Sequence, residues 1–232
     1  PPPPPPPPIV QAEDGRRDLY SSRGLGDLYK RQTMQDNIKL ATRESPLALR
    51  QANIVREYLL DNNVFNKIDI VAMSTSGDRA DNETFKRNGG KGLFLKELEN
   101  ALSEGKAHIA VHSMKDVPAR VNDRFLISSI MKREDPCDVF ISNSHKSIEE
   151  ISNGTIGSSS PRRQAMIKSL GKNIAVVEMR GNINTRLKKL KDSNIDGIIL
   201  AKAGLRRMEM DSLITQNLSV ESFVPSPGQG VL

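Results

Sequence analysis

A chain of 232 residues with 37% hydrophobic residues holds enough apolar material for one large or two modest cores, and no apolar run approaches the eighteen or so residues that cross a bilayer. A single cysteine, Cys137, forbids an internal disulfide, and His108, His112 and His145 lack zinc-ligand spacing, so a metal-free mechanism in a reducing compartment is expected. The formal charge of +6 favours anionic partners, but 4% aromatic residues and the lack of Trp argue against a nucleic-acid platform.

Residues 1–32 open with eight prolines and continue through a Gly, Arg, Ser and Asp mixture without helical or strand period, which predicts a disordered or non-native leader. The leader holds five basic and four acidic residues, so the rest keeps 29 basic against 24 acidic and the cationic surplus belongs to the folded part. From Asn37 short β-branched runs alternate with helical patterns: IKLAT, a helix from Ser45, IDIVAMST, a helix over GLFLKELENALSEG, then HIAVHSM. That alternation predicts parallel βαβ units. In the first helix Ser45 is the N-cap, Pro46 takes the first helical position, and Ala48, Ala52, Val55 and Leu59 share the face turned to the sheet. A second series follows Cys137: DVFIS, TIGSS, a helix over 161–170, NIAVVEM, a helix over NINTRLKKLKDS, then DGIILAKAG. Two α/β domains with a cleft between them are expected, residues 33–131 and 132–224, with 225–232 returning toward the first.

Polar groups recur where predicted strands end, the rim at which open parallel sheets bind ligands. Thr42, Arg43 and Ser45 follow the first strand, Gly77 and Asp78 the second, Lys115 and Asp116 the third; Ser158, Ser159, Ser160, Arg162 and Arg163 follow TIG, and Arg180 follows VVEM. Any one of these by itself reads first as a helix cap or surface ion pair; five strand ends together read as a site. Ser160 with Pro161 opens a helix whose free N–H groups and two adjacent arginines suit an anion, and guanidinium forks match planar carboxylates. No phosphate-binding glycine loop is present; Gly89, Gly90, Lys91 and Gly92 make too short a run. Asp116, one acid among cations, is either an exposed turn before Pro118 or a group that holds an N–H and stabilises positive charge as an amine leaves.

Nine segments in order, IKLATRESPLALRQA, STSGD, GGKGLFLKELE, IAVHSMKDVP, REDPCDVF, GSSSPRRQ, RGNINTRL, IILAKAGLRR and PSPGQG, resemble the porphobilinogen deaminase (hydroxymethylbilane synthase) family over residues 37–232. The resemblance implies two type II periplasmic-binding-protein-like α/β domains and a third α+β domain. It implies a covalent dipyrromethane cofactor on a cysteine of that third domain, and the stepwise condensation of four porphobilinogen molecules with loss of ammonia, through polypyrrole intermediates. By motif, Asp116 is the catalytic carboxylate, with Lys115 beside it. Arg43, Arg162, Arg163, Arg180 and Arg186 bind acetate and propionate groups, supported by Ser45, Ser113, Ser159, Ser160, Lys91 and Gln51. Arg186 reads equally as a solvated helix residue.

The family's cofactor cysteine lies beyond PSPGQG, where this sequence reaches Leu232, and Cys137 inside REDPCD is read as a small strand-edge residue instead. The expectation is a fragment inactive by itself, part of a monomeric cytoplasmic enzyme, or a plastid one, with no nucleic-acid or membrane partner. The competing readings are a carboxylate-binding protein closing by a hinge and a nucleic-acid-binding fragment.

Overall fold

The computed structural model describes residues 37–79 and 94–232, so the leader and Lys91 lie outside the described residues. Strand β1 (Ile38–Arg43) runs at the centre of a parallel three-stranded sheet between β2 (Ile68–Met73) and β3 (Ile109–Ala110), with Ile38 opposite Ile68 and Leu40 opposite Ile109. Helix α1 (Pro46–Asp61) starts on Ser45, whose Oγ accepts from the Ala48 N–H at 3.4 Å. Its Ala52, Val55 and Leu59 pack with Ile38, Leu40 and Ile68. After the short α2 (Ser76–Arg79), helix α3 (Lys96–Ser103) sets Leu98 and Ala101 against Ala41, the strand position whose side chain points the opposite way. Both faces of β1 are therefore covered, which is why it reads as a near-continuous apolar run.

The second sheet has the order β6-β5-β7-β4-β8 and comprises β4 (Asp138–Ile141), β5 (Asn153–Gly157), β6 (Asn173–Val177), β7 (Gly197–Ala201) and β8 (Gln216–Asn217). Helices α4 (Pro161–Ser169), α5 (Ile183–Asp192) and α6 (Lys202–Arg207) connect and cover it. Phe140, Ile156, Ile167 and Ile199 form one core layer, and Val139, Met179, Ile198, Leu200 and Leu205 the other.

The α/β class expected from the alternation is what the structure shows, with two departures. β4 runs antiparallel to β7 and β8, because it enters the sheet from an extended crossing segment with no helix before it to reverse its direction. The long strand expected over HIAVHSM is two residues of β3; His108 and Val111 still donate to Lys39 and Ala41, and the chain then folds into a single 3-10 turn, Met114–Asp116.

Two extended segments join the sheets. The Glu134 N–H donates to the Gly230 carbonyl at 2.9 Å, Arg133 Nε donates to the Gln229 carbonyl at 2.9 Å, and the Met114 N–H donates to the Val231 carbonyl at 3.0 Å. Gly230 has φ +91°, and a Cβ there would lie 2.3 Å from the Glu134 carbonyl oxygen, so no other residue fits. Residues of both sheets fall in one compact unit, Asp36–Leu232. Among the described residues no helix is long and apolar enough to cross a membrane.

Candidate functional site

The first rim is built at the ends of β1 and β3. Thr42 is buried and gives its hydroxyl to the Ala48 carbonyl at 3.1 Å, which fixes the sharp entry into α1. The next residue, Arg43, lays its guanidinium over the Phe94 ring, 4.0 Å from the centroid, a cation–π contact that holds the charge in place. Gln51 on the inner face of α1 donates to Ser113 Oγ at 2.9 Å, and the Asp116 N–H donates to the Ser113 carbonyl at 2.9 Å, so the turn bearing Lys115 and Asp116 is anchored to the helix. Arg43, Ser45, Gln51, Phe94, His112 and Asp116 face one open hollow of about 50 Å³. Burial pushes the His112 imidazole below its ordinary value; Asp116 pulls it back up and Arg43 lowers it further, leaving a neutral ring at pH 7.

The second rim is built where β5 and β6 end. Ser160 caps α4 by accepting from the Arg163 N–H at 3.5 Å, and Gln164 Nε2 holds the Ser158 carbonyl at 2.8 Å, so the SSS turn is pinned from within the helix. Ser159 Oγ is buried without a protein hydrogen-bond partner, which leaves its hydroxyl to a ligand or water. Arg180 pairs with Glu178 through Nε and Nη2, at 3.1 and 2.9 Å. Arg186 is half-buried, donates Nε to the Gly181 carbonyl at 2.7 Å, and has its pKa lowered by burial and by the charges of Arg163 and Arg180.

Arg163 is placed differently from the motif's suggestion of a guanidinium facing a ligand. It is 6% exposed, grips Asp138 through Nε–Oδ2 at 3.1 Å and Nη2–Oδ1 at 2.7 Å, and donates Nη1 to the Ile199 carbonyl at 3.0 Å. A buried carboxylate requires a counter-charge within hydrogen-bonding reach, and the third residue of α4 supplies it, leaving two guanidinium hydrogens for anything else. Arg162 donates Nη2 to the same Oδ2 of Asp138 at 2.8 Å and Nη1 to the Val224 carbonyl. Burial alone would push the Asp138 carboxyl up; hydrogen bonds from Arg163, Gln229 and Arg162 with the Arg163 charge outweigh it and hold the group below its usual value.

The rims meet at Lys115. Its side chain is exposed taken as a whole, but its ammonium stands in a crowded cleft, where desolvation first and then Arg163 and Arg186 lower its pKa to about 8, against the opposing pull of Asp116 and Asp138. The structure thus brings Arg43, Gln51, Ser113, Lys115 and Asp116 together on one side and Ser159, Ser160, Arg162, Arg180 and Arg186 on the other. Phe94, His112, Asp138 and Gln229 join them without having been singled out from the sequence. Asp138 left one legible sign, an acid opening the otherwise apolar strand DVFI. Cys137 is half-buried beside this network; its thiol is pushed up by the hydrogen bond to Asp135 and by burial, the opposite of an activated nucleophile. Among the described residues no cluster of His, Cys, Asp or Glu is arranged to hold a metal. A ligand with several carboxylates fits the surplus of guanidinium and ammonium charge and the free Ser159 hydroxyl.

Residues 38–232 match the family model described as porphobilinogen deaminase, dipyromethane cofactor binding domain. The porphobilinogen deaminase of Alkaliphilus metalliredigens is 45% identical over 84% of this chain and 62% of its own length. Those of Nitrosomonas europaea, at 46% identity, and Ruthia magnifica, at 44%, have 64% and 66% of their length covered and match 84% and 86% of this chain. The chain therefore spans a little under two thirds of the curated relatives it matches. Among solved structures, the periplasmic VFT2 domain of Bordetella pertussis BvgS aligns with 87% of this chain and 82% of its own at a TM-score of 0.46 and 13% identity. The methionine-binding protein MetQ aligns with 79% and 78% at 0.41 and 10%.

Proposed function

Because the chain belongs to the porphobilinogen deaminase family, we propose that it carries the substrate- and cofactor-binding cleft of a hydroxymethylbilane synthase, a transferase that joins four porphobilinogen molecules with loss of ammonia. The reading rests on one observation above all: Asp116 and Lys115 sit on an anchored turn between two arginine-bearing rims. Porphobilinogen carries two carboxylates and an aminomethyl group on a pyrrole. Arg43 on its aromatic platform suits one carboxylate, and Asp116 suits the pyrrole N–H and the positive charge that develops as ammonia leaves. His112, neutral at pH 7, adds no competing positive charge beside Asp116. Dipyrromethane, when bound, supplies the pyrrole carbon to which the substrate is joined; Arg162, Arg180, Arg186, Ser159 and Ser160 are the residues that would hold its carboxylates. Residues 33–131 and 132–224 act in this reading as two domains, which the two separate sheets support, within a cytoplasmic monomer.

The test uses the full-length protein that contains this sequence. Asp116→Asn is expected to lower hydroxymethylbilane formation by about 10²- to 10⁴-fold, the range for losing a positioned acid–base group, while porphobilinogen still binds. Turnover equal to the unsubstituted enzyme would remove Asp116 from the chemistry and the reading with it.

A further inference from the structure

Asp138 has no exposed surface, yet four hydrogen bonds converge on its carboxylate: two from Arg163, one from Arg162 and one from Gln229 Nε2 at 2.9 Å. That number saturates the lone pairs of a carboxylate. The second hydrogen of the Gln229 amide goes to the Pro136 carbonyl at 2.6 Å, and the Gln229 side chain is itself 1% exposed. The backbone around Gln229 holds the catalytic turn as well, since Val231 accepts from the Met114 N–H one residue before Lys115. One buried acid is thus tied both to the adjacent arginines of the second rim and, through residues 229–231, to the turn of the first.

We propose that Asp138 is a positioning residue for the carboxylate-binding site, aligning Arg162 and Arg163 side by side, and that Gln229 locks it in that role. The proposal rests on the functional reading above for the identity of the ligand, but not for the charge arrangement. Arg162 and Arg163 are consecutive residues in the first turn of α4, and their guanidinium groups would repel each other without an anion between them. Asp138 supplies that anion permanently, so Arg162 keeps its orientation before any ligand arrives. Its negative charge also acts on Lys115, which faces Arg163 from α4, Arg186 from α5, Asp116 from its own turn and Asp138 from β4. Two of those neighbours are cations, and Asp138 helps Lys115 keep its proton among them.

The experiment takes the full-length protein with Asp138→Asn and, because that change strands a buried guanidinium, also Gln229→Met, which removes one of the four hydrogen bonds and leaves the charges paired. The first readout is the pH dependence of Lys115 acylation by a small reagent. The unsubstituted protein is expected to break near pH 8, and Asp138→Asn to break lower by roughly half a unit or more. The second is porphobilinogen turnover, where KM is expected to rise about 10- to 100-fold with a smaller change in kcat, the scale for misplacing a binding group. Gln229→Met is expected to move both in the same direction by less. A structural role alone would lower the folded fraction without moving the Lys115 break or KM. Folded variants with both quantities unchanged would overturn the proposal. If the unsubstituted protein does not turn over porphobilinogen but the Lys115 break moves in Asp138→Asn, the functional reading falls and the positioning role stands.

Discussion

The two rims hold their cations by opposite means. In the first, Arg43 rests on an aromatic face and lines an open hollow, while Gln51 and Ser113 steady a turn whose acid, Asp116, is exposed. In the second, Arg162 and Arg163 are bound by a buried carboxylate and by carbonyl groups. A guanidinium beside an open hollow can be reached by a ligand directly, whereas one in a saturated buried network is oriented in advance and is costly to move. The contrast fits a division of labour in which the first rim takes up and releases a ligand repeatedly and the second grips one that stays.

Changes in the second rim test that contrast most severely. Asp138→Ala leaves Arg163 buried without its counter-charge and is expected to cost about 3–5 kcal/mol of stability, read by denaturant unfolding; a loss near zero would mean that the network does not hold the rim. Gly230→Ala, with its positive φ and its Cβ driven against Glu134, is expected to cost about 2 kcal/mol and to loosen the contact between the joining segments, visible as faster amide exchange at Glu134 and Met114. Arg162→Leu is expected to weaken cofactor retention more than folding, because this side chain keeps 23% of its surface and shares Asp138 with Arg163; equal losses of thermal stability and cofactor content would erase the distinction between gripping and folding.

Acid offers a further way to separate the rims. Asp138 has a folded pKa below its ordinary value, so its contribution is present above the unfolded pKa and is lost as pH falls through the folded one. Asp135 and Asp196, also in the second lobe, are held low as well. Amide exchange below about pH 4 is therefore expected to rise in β4 and β7 before it rises in β1. The smallest expected effect lies on the surface that links the lobes: the Arg50–Glu209 pair, at 2.7 Å, is 43% and 77% exposed, so Glu209→Gln should change stability by less than about 1 kcal/mol. A larger loss would show that this surface pair, rather than the joining segments, holds the lobes together.

Much of this molecule was set by local rules that the sequence states by itself. Ser45 with Pro46 and Ser160 with Pro161 start their helices because a cap and a fixed φ need only neighbouring residues. The apolar face of α1 and the run IKLA follow from periodicity, and the delivery of Arg43, Asp116 and Arg180 to strand ends follows from βαβ order. The pairing of distant charges was decided in three dimensions. Nothing local distinguishes Arg162 from Arg163, yet a 100° step around α4 leaves one partly exposed and buries the other against Asp138. The reversed direction of β4, the shortening of β3 into the turn at Lys115, and the enclosure of Gln229 beside Asp138 likewise depend on which segments cross between the sheets. Charge and hydrogen-bond partners more than twenty residues apart are chosen by packing, and packing exists only once the chain is folded.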